Sequence, residues 1–312
     1  MRVIADFGAD YMVDDGTSSR RAVAHLLKGS PRSHAAGSDF VGISDPAVGD
    51  WVFVDDGVIT EVLPRRTVFS RRAAGNETRE QVLAANVDVA FVVASATDVN
   101  MRRIERYLTI AWQSGATPVV VVTKADLAEV EEPELPARVI VTSSVTGQGV
   151  DAIREELQPD RTGVLMGPSG AGKSTLINAL LGAEVMRTRE VHKTGEGRHM
   201  TSHRQLLEVP GGGAIIDTPG LREAQLWVGE DALAGVFEDI EQLASQCRFS
   251  DCTHDTEPGC AVKTGVTPER LRSYRKLQRE LRAVAAKSDF RLRQEDRKKW
   301  KQIATAAKRA RW

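Results

Sequence analysis

Nine consecutive residues, Gly167-Pro168-Ser169-Gly170-Ala171-Gly172-Lys173-Ser174-Thr175, carry the spacing GxxxxGK[ST]. Glycines at these positions let successive backbone N–H groups curl round a polyphosphate, and the positive end of a following helix adds to the attraction. Lys173 is then spaced to reach the β- and γ-phosphates as a catalytic cation, and the Ser174 hydroxyl to join a Mg²⁺ shell. The motif follows the apolar run Gly163 to Met166 and opens a helical pattern from Ser174 to Leu181, the context this chemistry requires. A second apolar run, Ala214 to Ile216, ends in Asp217-Thr218-Pro219-Gly220. A carboxylate at Asp217 can hold Mg²⁺ through water, and the Gly220 amide can sense a γ-phosphate.

Base choice rests on Thr123-Lys124-Ala125-Asp126, which follows the buried run Pro118 to Val122. Asp126 can accept both the ring N–H and the exocyclic amine of guanine, a pair that adenine does not offer. Lys124 would lie along the base, and Ser143-Ser144, ahead of Thr146-Gly147, can cover the guanine oxygen with a backbone N–H. Either tetrapeptide alone would read as a surface loop; beside a phosphate loop they imply a guanine pocket. Farther on, Cys247, Cys252, His254 and Cys260 offer three thiolates and one imidazole, the donor set of a closed, structural Zn²⁺ site, one per chain. Residues Asp255 to Gly259 supply the turn that brings Cys260 back, and no coordination position is left open for catalysis.

These groups need a frame, and the pattern supplies one. From about Asn86 apolar strands alternate with helical stretches: Asp88 to Ser95, Pro118 to Val122, Val139 to Val141, Gly163 to Met166 and Ala214 to Ile216 as strands. Asn100 can cap a helix that buries Ile104, Tyr107, Leu108 and Ala111 and ends at Gly115, and Val150 to Leu157 reads as a short one. That rhythm predicts an α/β fold with a parallel sheet. Residues 1 to about 75 read instead as short strands and turns, with Asp55-Asp56-Gly57 as a hairpin signal between Trp51–Val54 and Val58–Leu63. A small barrel or a sandwich fits them, with a long loop at Gly29 to Ser38. The domains are expected at 1–75, 76–228 and 229–312.

Length and charge agree. The 312 residues allow about two domains, or three if one is small. No apolar run approaches a membrane span and the first ten residues lack the core of a secretory signal, so a soluble cytoplasmic protein is expected. Three cysteines, all between 247 and 260, exclude a closed disulfide framework. The net charge of −1 hides an asymmetry: from Ala261 to Trp312 the chain carries +12, leaving −13 for the rest. A helix over Pro268 to Ala285 would turn Leu271, Tyr274, Leu277, Leu281 and Val284 inward and spread Arg270, Arg272, Arg275, Arg279 and Arg282 over its other faces. A basic end of this kind suits an RNA backbone, or is simply a solvated helix. Arg291 to Trp312 has the composition of a disordered tail.

The four nucleotide motifs occur in an unusual order, with TKAD and SSVTG ahead of GPSGAGKST and DTPG, so the domain resembles a circularly permuted P-loop GTPase. Together with Val48-Gly49-Asp50-Trp51, the segment Glu80 to Asn86, the segment Gly197 to Thr201 and the cysteine cluster, over about residues 45 to 285, the chain resembles the ribosome small subunit-dependent GTPase A family (RsgA/YjeQ). The resemblance implies an N-terminal OB-like β-barrel that binds RNA, the permuted GTPase domain, and a C-terminal zinc-binding helical module. It further implies hydrolysis of GTP to GDP and phosphate on the 30S ribosomal subunit during late maturation, with turnover stimulated by the ribosome and contacts to 16S rRNA. A monomer is expected. His199 falls on the family's catalytic histidine, though such a residue can also merely pack or touch RNA, and Thr201 on the threonine that completes the Mg²⁺ shell, with Ser202 beside it. Two positions depart from common GTPase patterns. Thr123 stands where the family has Asn, which removes an amide that braces the loop and predicts a weaker guanine site. Leu221 stands where Ras-like enzymes carry the Gln that orients water. Two other readings compete: a zinc-dependent RNA-binding protein whose guanine pocket does not turn over, and a P-loop kinase, which would need an acceptor pocket and would leave the basic end unexplained.

Overall fold

The computed structural model describes residues 1–8, 10–24, 45–72, 80–130, 133, 135–185, 204–218, 233 and 236–288. The loop expected at Gly29 to Ser38, the tail from Arg291, and His199, Thr201, Gly220 and Leu221 lie outside them. The chain divides into two compact units, Met1–Ala73 with Arg79–Leu226, and Ala74–Thr78 with Trp227–Trp312.

The first five strands are β1 (Arg2–Asp6), β2 (Tyr11–Asp14), β3 (Ser19–Ala24), β4 (Val52–Asp55) and β5 (Val58–Val62). Strands β1, β2 and β3 form an antiparallel meander, β3 then pairs parallel with β5, and β5 pairs antiparallel with β4. A bridge between Arg2 and Trp51, with Val52 N donating to Met1 O and Val3 N to Asp50 O, returns β4 to β1. The result is a five-stranded Greek-key barrel of the OB type, not a sandwich. Alternation fills it: Val3, Tyr11, Val13, Ala22, Val52 and Ile59 share its core. The β4–β5 turn is the one expected, Asp56 (φ 44°) and Gly57 (φ 76°) both taking the left-handed conformation of a tight hairpin.

A hairpin of β6 (Val68–Arg72) and β7 (Glu80–Ala85) spans the expected boundary at residue 75. Beyond it come β8 (Val89–Ser95), α1 (Met101–Ser114), β9 (Thr117–Thr123), β10 (Arg138–Val141), α2 (Val150–Glu155), β11 (Thr162–Met166), α3 (Lys173–Leu181), β12 (Arg204–Glu208) and β13 (Ala214–Asp217). The sheet runs β10-β9-β8-β11-β13, all parallel, with β12 added antiparallel. The strand bearing the phosphate loop, β11, is thus central although it comes fourth of these five in the chain, as a circular permutation demands. Val89, Phe91 and Val93 meet Ile153, Leu157, Leu176 and Leu180 in one core layer. Ala90, Val92 and Ala94 therefore face the other side. Helix α1 packs on β8 and β9, begun by the Asn100 side chain on Arg103 N and stopped by left-handed Gly115.

Barrel and sheet are joined twice. Strand β1 pairs with β12 through Ala5↔Gln205 and Asp6↔Arg204, so eleven strands form one hydrogen-bonded sheet. Asp6 splits its carboxylate, Oδ2 to Arg204 at 2.8 Å and Oδ1 to the Gly8 amide at 2.8 Å. At the second joint Gly49 lies so close to β7 that a Cβ would stand 2.1 Å from Ala85 O. Asn86 donates to Gly49 O and accepts from Arg66 N, and the fully buried Asp50 takes two bonds from Arg65. The segments around Gly49 and Asn86 are therefore structural.

The second unit contains α4 (Glu238–Ala244), α5 (Ala261–Gly265) and α6 (Pro268–Ser288). Phe237 and Tyr274 meet edge to face at 5.3 Å, beside buried Ile240, Val262, Leu271, Leu277 and Leu281. The arginines of α6 are not equivalent. Arg270 bonds Asp239 and Val236 O and lies 4.6 Å over the Phe237 ring, and Arg275 pairs with Asp255. Both act within the unit; Arg272, which pairs with Glu269, and Lys276, Arg279 and Arg282 make up the exposed basic side of the helix. Among the described residues no helix is long and apolar enough to cross a membrane.

Candidate functional site

The carboxyl ends of the parallel strands gather most of the residues singled out above, at the edge where open α/β sheets bind ligands. Gly167 leaves β11 at φ 150°, where a Cβ would come within 2.3 Å of Val93 O. Gly172 (φ 89°) turns the chain into α3. Between them Pro168, Ser169, Gly170 and Ala171 form the loop, and Lys173 folds over it, its Nζ donating to Gly167 O (2.7 Å) and Pro168 O (2.5 Å). The Lys173 ammonium is thus buried against the loop while Ser174 is half-buried and Thr175 exposed at the start of α3. Val164 pairs with Ile216, so Asp217 closes β13 level with Leu165, beside the same loop.

The neighbouring strand ends are tied to the phosphate loop by side chains. The Thr123 hydroxyl, at the end of β9, lies 2.6 Å from Ala171 O and 3.1 Å from Ala94 O. The hydroxyl thus supplies a brace to the phosphate loop where the replacement of Asn was expected to remove one. Lys124, in the left-handed conformation (φ 59°), reaches across so that Nζ donates to Gly170 O at 2.7 Å. Ala125 N donates to Thr142 O, and Ser143, fully buried, donates its hydroxyl to Asp126 Oδ1 at 2.6 Å. The Ser143 amide is spent on Gln148 O. Ser143 therefore aims the Asp126 carboxylate, and a base oxygen must look to Ser144 for an N–H. Neither the Thr123 brace nor the Ser143 bond has a local sequence signal, because each joins loops that meet only when the sheet forms.

In the second unit Cys247, Cys252, His254 and Cys260 bring their ligand atoms within 4.8 Å of one another. The spacing can be tested against a tetrahedral ion: sulfur at about 2.3 Å and nitrogen at about 2.0–2.1 Å stand about 3.8 Å (S–S) and about 3.5 Å (S–N) apart. Cys247 Sγ lies 3.9 Å from Cys260 Sγ, and His254 Nδ1 lies 3.6 Å and 3.5 Å from the two sulfurs. The residues fit a metal ion. Backbone amides of Val262 and Ala261 hold the Cys247 thiol below its ordinary range, whereas burial pushes Cys252 up to about 11. Burial and then the Arg275 charge lower the His254 pKa, which keeps the imidazole in its neutral, ligating form.

Comparison with known proteins follows this geometry. The model of the RsgA GTPase family matches residues 62–227, and that of the 50S ribosome-binding GTPase family matches residues 162–301. The small ribosomal subunit biogenesis GTPase RsgA of Streptomyces avermitilis is 47% identical over 313 residues, covering 89% of this chain and 83% of its own. The small ribosomal subunit biogenesis GTPase RsgA 1 of Oceanobacillus iheyensis is 42% identical over 332 residues, covering 99% and 93%. Among solved structures, YjeQ from Thermotoga maritima aligns with a TM-score of 0.61 at 26% identity, over 90% of this chain and 97% of that one. With a family model spanning more than half of its length and named relatives this similar along nearly all of it, the chain belongs to the RsgA GTPase family.

Proposed function

We propose that this chain binds GTP at the carboxyl end of its parallel sheet and hydrolyses it to GDP and phosphate in the course of small ribosomal subunit biogenesis. The observation that carries the reading is the continuous set of bonds from the phosphate loop through Thr123 and Lys124, with Asp126 held by Ser143 on the adjoining loop. Gly167 to Gly172 would wrap the phosphates, Lys173 would turn from its loop carbonyls to the β- and γ-oxygens, and Asp126 would read guanine with Lys124 along the ring. Ser174 and Asp217, with Thr201, would hold Mg²⁺, which when bound neutralises charge on the phosphate oxygens. Gly220 would sense the γ-phosphate, and His199 would orient water in place of a glutamine at Leu221. The Cys₃His group would hold a structural Zn²⁺, whose contribution is to folding and not to turnover.

The partner is the 30S subunit, met through 16S rRNA by the N-terminal barrel and by the basic side of α6, in the cytoplasm and as a monomer. Docking would assemble the hydrolytic geometry, so turnover would be slow in the free protein. The test is GTP turnover with and without purified 30S subunits. Subunits should raise the rate substantially, added salt should diminish the gain, and His199→Ala should remove much of it with GTP affinity nearly intact. Equal rates for free and subunit-bound protein would refute the ribosome-dependent mechanism.

A further inference from the structure

The metal loop contains a carboxylate that does not belong to the ligand set. Glu257 Oε1 accepts from Thr253 N at 3.0 Å and Thr253 Oγ1 at 2.5 Å, and its Oε2 accepts from Asp255 N at 2.8 Å. Thr253 and Asp255 are the two neighbours of His254 in the chain, so one side chain grips the backbone on both sides of the imidazole ligand. His254 itself sits at φ 58°, a left-handed conformation uncommon for a residue with a side chain. The ring atom turned toward the sulfurs is Nδ1, 3.6 Å from Cys247 and 3.5 Å from Cys260. Nδ1 is the ring nitrogen nearer the backbone, so the main-chain conformation decides where it stands, with little freedom for the side chain to compensate.

We propose that Glu257 is the positioning residue of this site: it locks the Thr253–Asp255 backbone so that His254 presents Nδ1 to the metal. The inference rests on the reading of the Cys₃His group as a metal site. Both carboxylate oxygens are occupied by loop donors, so Glu257 stands behind the ligand and outside the coordination shell. The same hydrogen bonds hold its carboxyl down at about 2, which keeps it ionised wherever thiolates bind metal. Two further contacts hold the Asp255 side of the imidazole. Lys263 Nζ donates to Asp255 O at 2.7 Å and Arg275 pairs with the Asp255 side chain at 3.1 Å, and neither touches the Thr253 side. Outer-shell groups that orient a ligand imidazole typically weaken metal binding about 10- to 100-fold when lost, and Glu257 would act on His254 through its backbone rather than through the ring N–H.

The experiment uses the full chain, with zinc competed against a chromophoric chelator for the unmutated protein, Glu257→Gln and Glu257→Ala. Glu257→Ala should weaken zinc by about 10- to 100-fold, and Glu257→Gln by less, since an amide keeps one acceptor oxygen. Cobalt(II) supplies a second readout. In Glu257→Ala the thiolate charge-transfer bands should persist while the ligand-field bands shift toward those of His254→Ala, a change that a general loss of stability would not produce. GDP binding by each variant reports that the first unit is folded. Zinc affinity within twofold of the unmutated protein, with an unchanged cobalt spectrum, would overturn the proposal and leave the metal reading standing. An unmutated protein that takes up neither ion would overturn both.

Discussion

The proposed nucleotide site draws its groups from four strand ends, those of β9, β10, β11 and β13, spread over residues 123 to 217, whereas the Cys₃His cluster takes all four of its side chains from residues 247 to 260. The first is assembled by sheet register. Thr123, Asp126, Lys173 and Asp217 stand at one edge of the sheet because their strands pair in one order, and buried Phe91, Leu165 and Ile215 pack between the layers that keep that order. The second is assembled by a short loop between helices of seven and five residues, α4 and α5, too small to nucleate alone. A site made by register survives the loss of any one of its functional side chains; a site made by a short loop depends on the ion that its ligands share.

That contrast fails first, and most visibly, at the cysteines. Cys252→Ser or Cys260→Ala should release the metal and unfold the second unit, since structural Zn²⁺ contributes apparent binding free energies of about 10–16 kcal/mol in small zinc modules. GDP should still bind. Metal analysis, circular dichroism and nucleotide titration on the same sample check this, and zinc-free protein purified without chelator would refute the site itself. Next in size is Asp126→Asn, which takes away one of two hydrogen bonds to an ionised acceptor, worth about 1.5–3 kcal/mol, and leaves the other uncharged. GTP and GDP should weaken by at least about tenfold on that figure, thermal stability should hardly move, and xanthine nucleotides should gain relative to guanine. Equal affinity of the unmutated protein for ATP and GTP would remove the guanine reading.

Sheet register can also be attacked away from the strand ends. Asp6 and Arg204 are 14% and 15% exposed and lock a joint only two residue pairs long. Asp6→Asn keeps an acceptor for Gly8 but strands the Arg204 charge, at a cost of about 3 kcal/mol, the low end of what breaking a buried pair costs. Urea unfolding of the first unit should show it, with metal content unchanged. An unaltered midpoint would mean that the Gly49–Asn86 joint alone carries the barrel.

Which features were legible in the sequence follows the same division. The phosphate loop, the five parallel strands, the Asn100 and Gly115 ends of α1 and the Cys₃His set are local patterns, and each stands where its pattern put it. The β1–β12 joint is two pairs between residues about two hundred apart, with nothing in either strand to announce it. Arg270 and Arg275 look in sequence like the other arginines of α6, and only Asp239, Phe237 and Asp255 reveal that they are spent inside the unit. Glu257 read as part of a turn because two of its three partners are backbone amides, which every residue but proline possesses.

Thr123 is the smallest and sharpest test, because sequence and structure assign it different consequences. Replacing an Asn amide by a hydroxyl predicts a weaker guanine site, yet the hydroxyl lies 2.6 Å from Ala171 O and the side chain is almost fully buried. A Cβ on Gly172 would come within 3.1 Å of that hydroxyl oxygen, so the contact is close on both sides. Thr123→Val keeps the shape and removes the donor, leaving Ala171 O short of a partner at a net cost of about 1 kcal/mol. GDP and GTP should both weaken about fivefold on that figure, while discrimination against ATP stays as it was because Asp126 and Ser143 are untouched. Thr123→Ser retains the hydroxyl and should recover most of the affinity. If serine weakens binding and valine does not, the methyl group, and not the hydroxyl, is what holds the loop to the sheet.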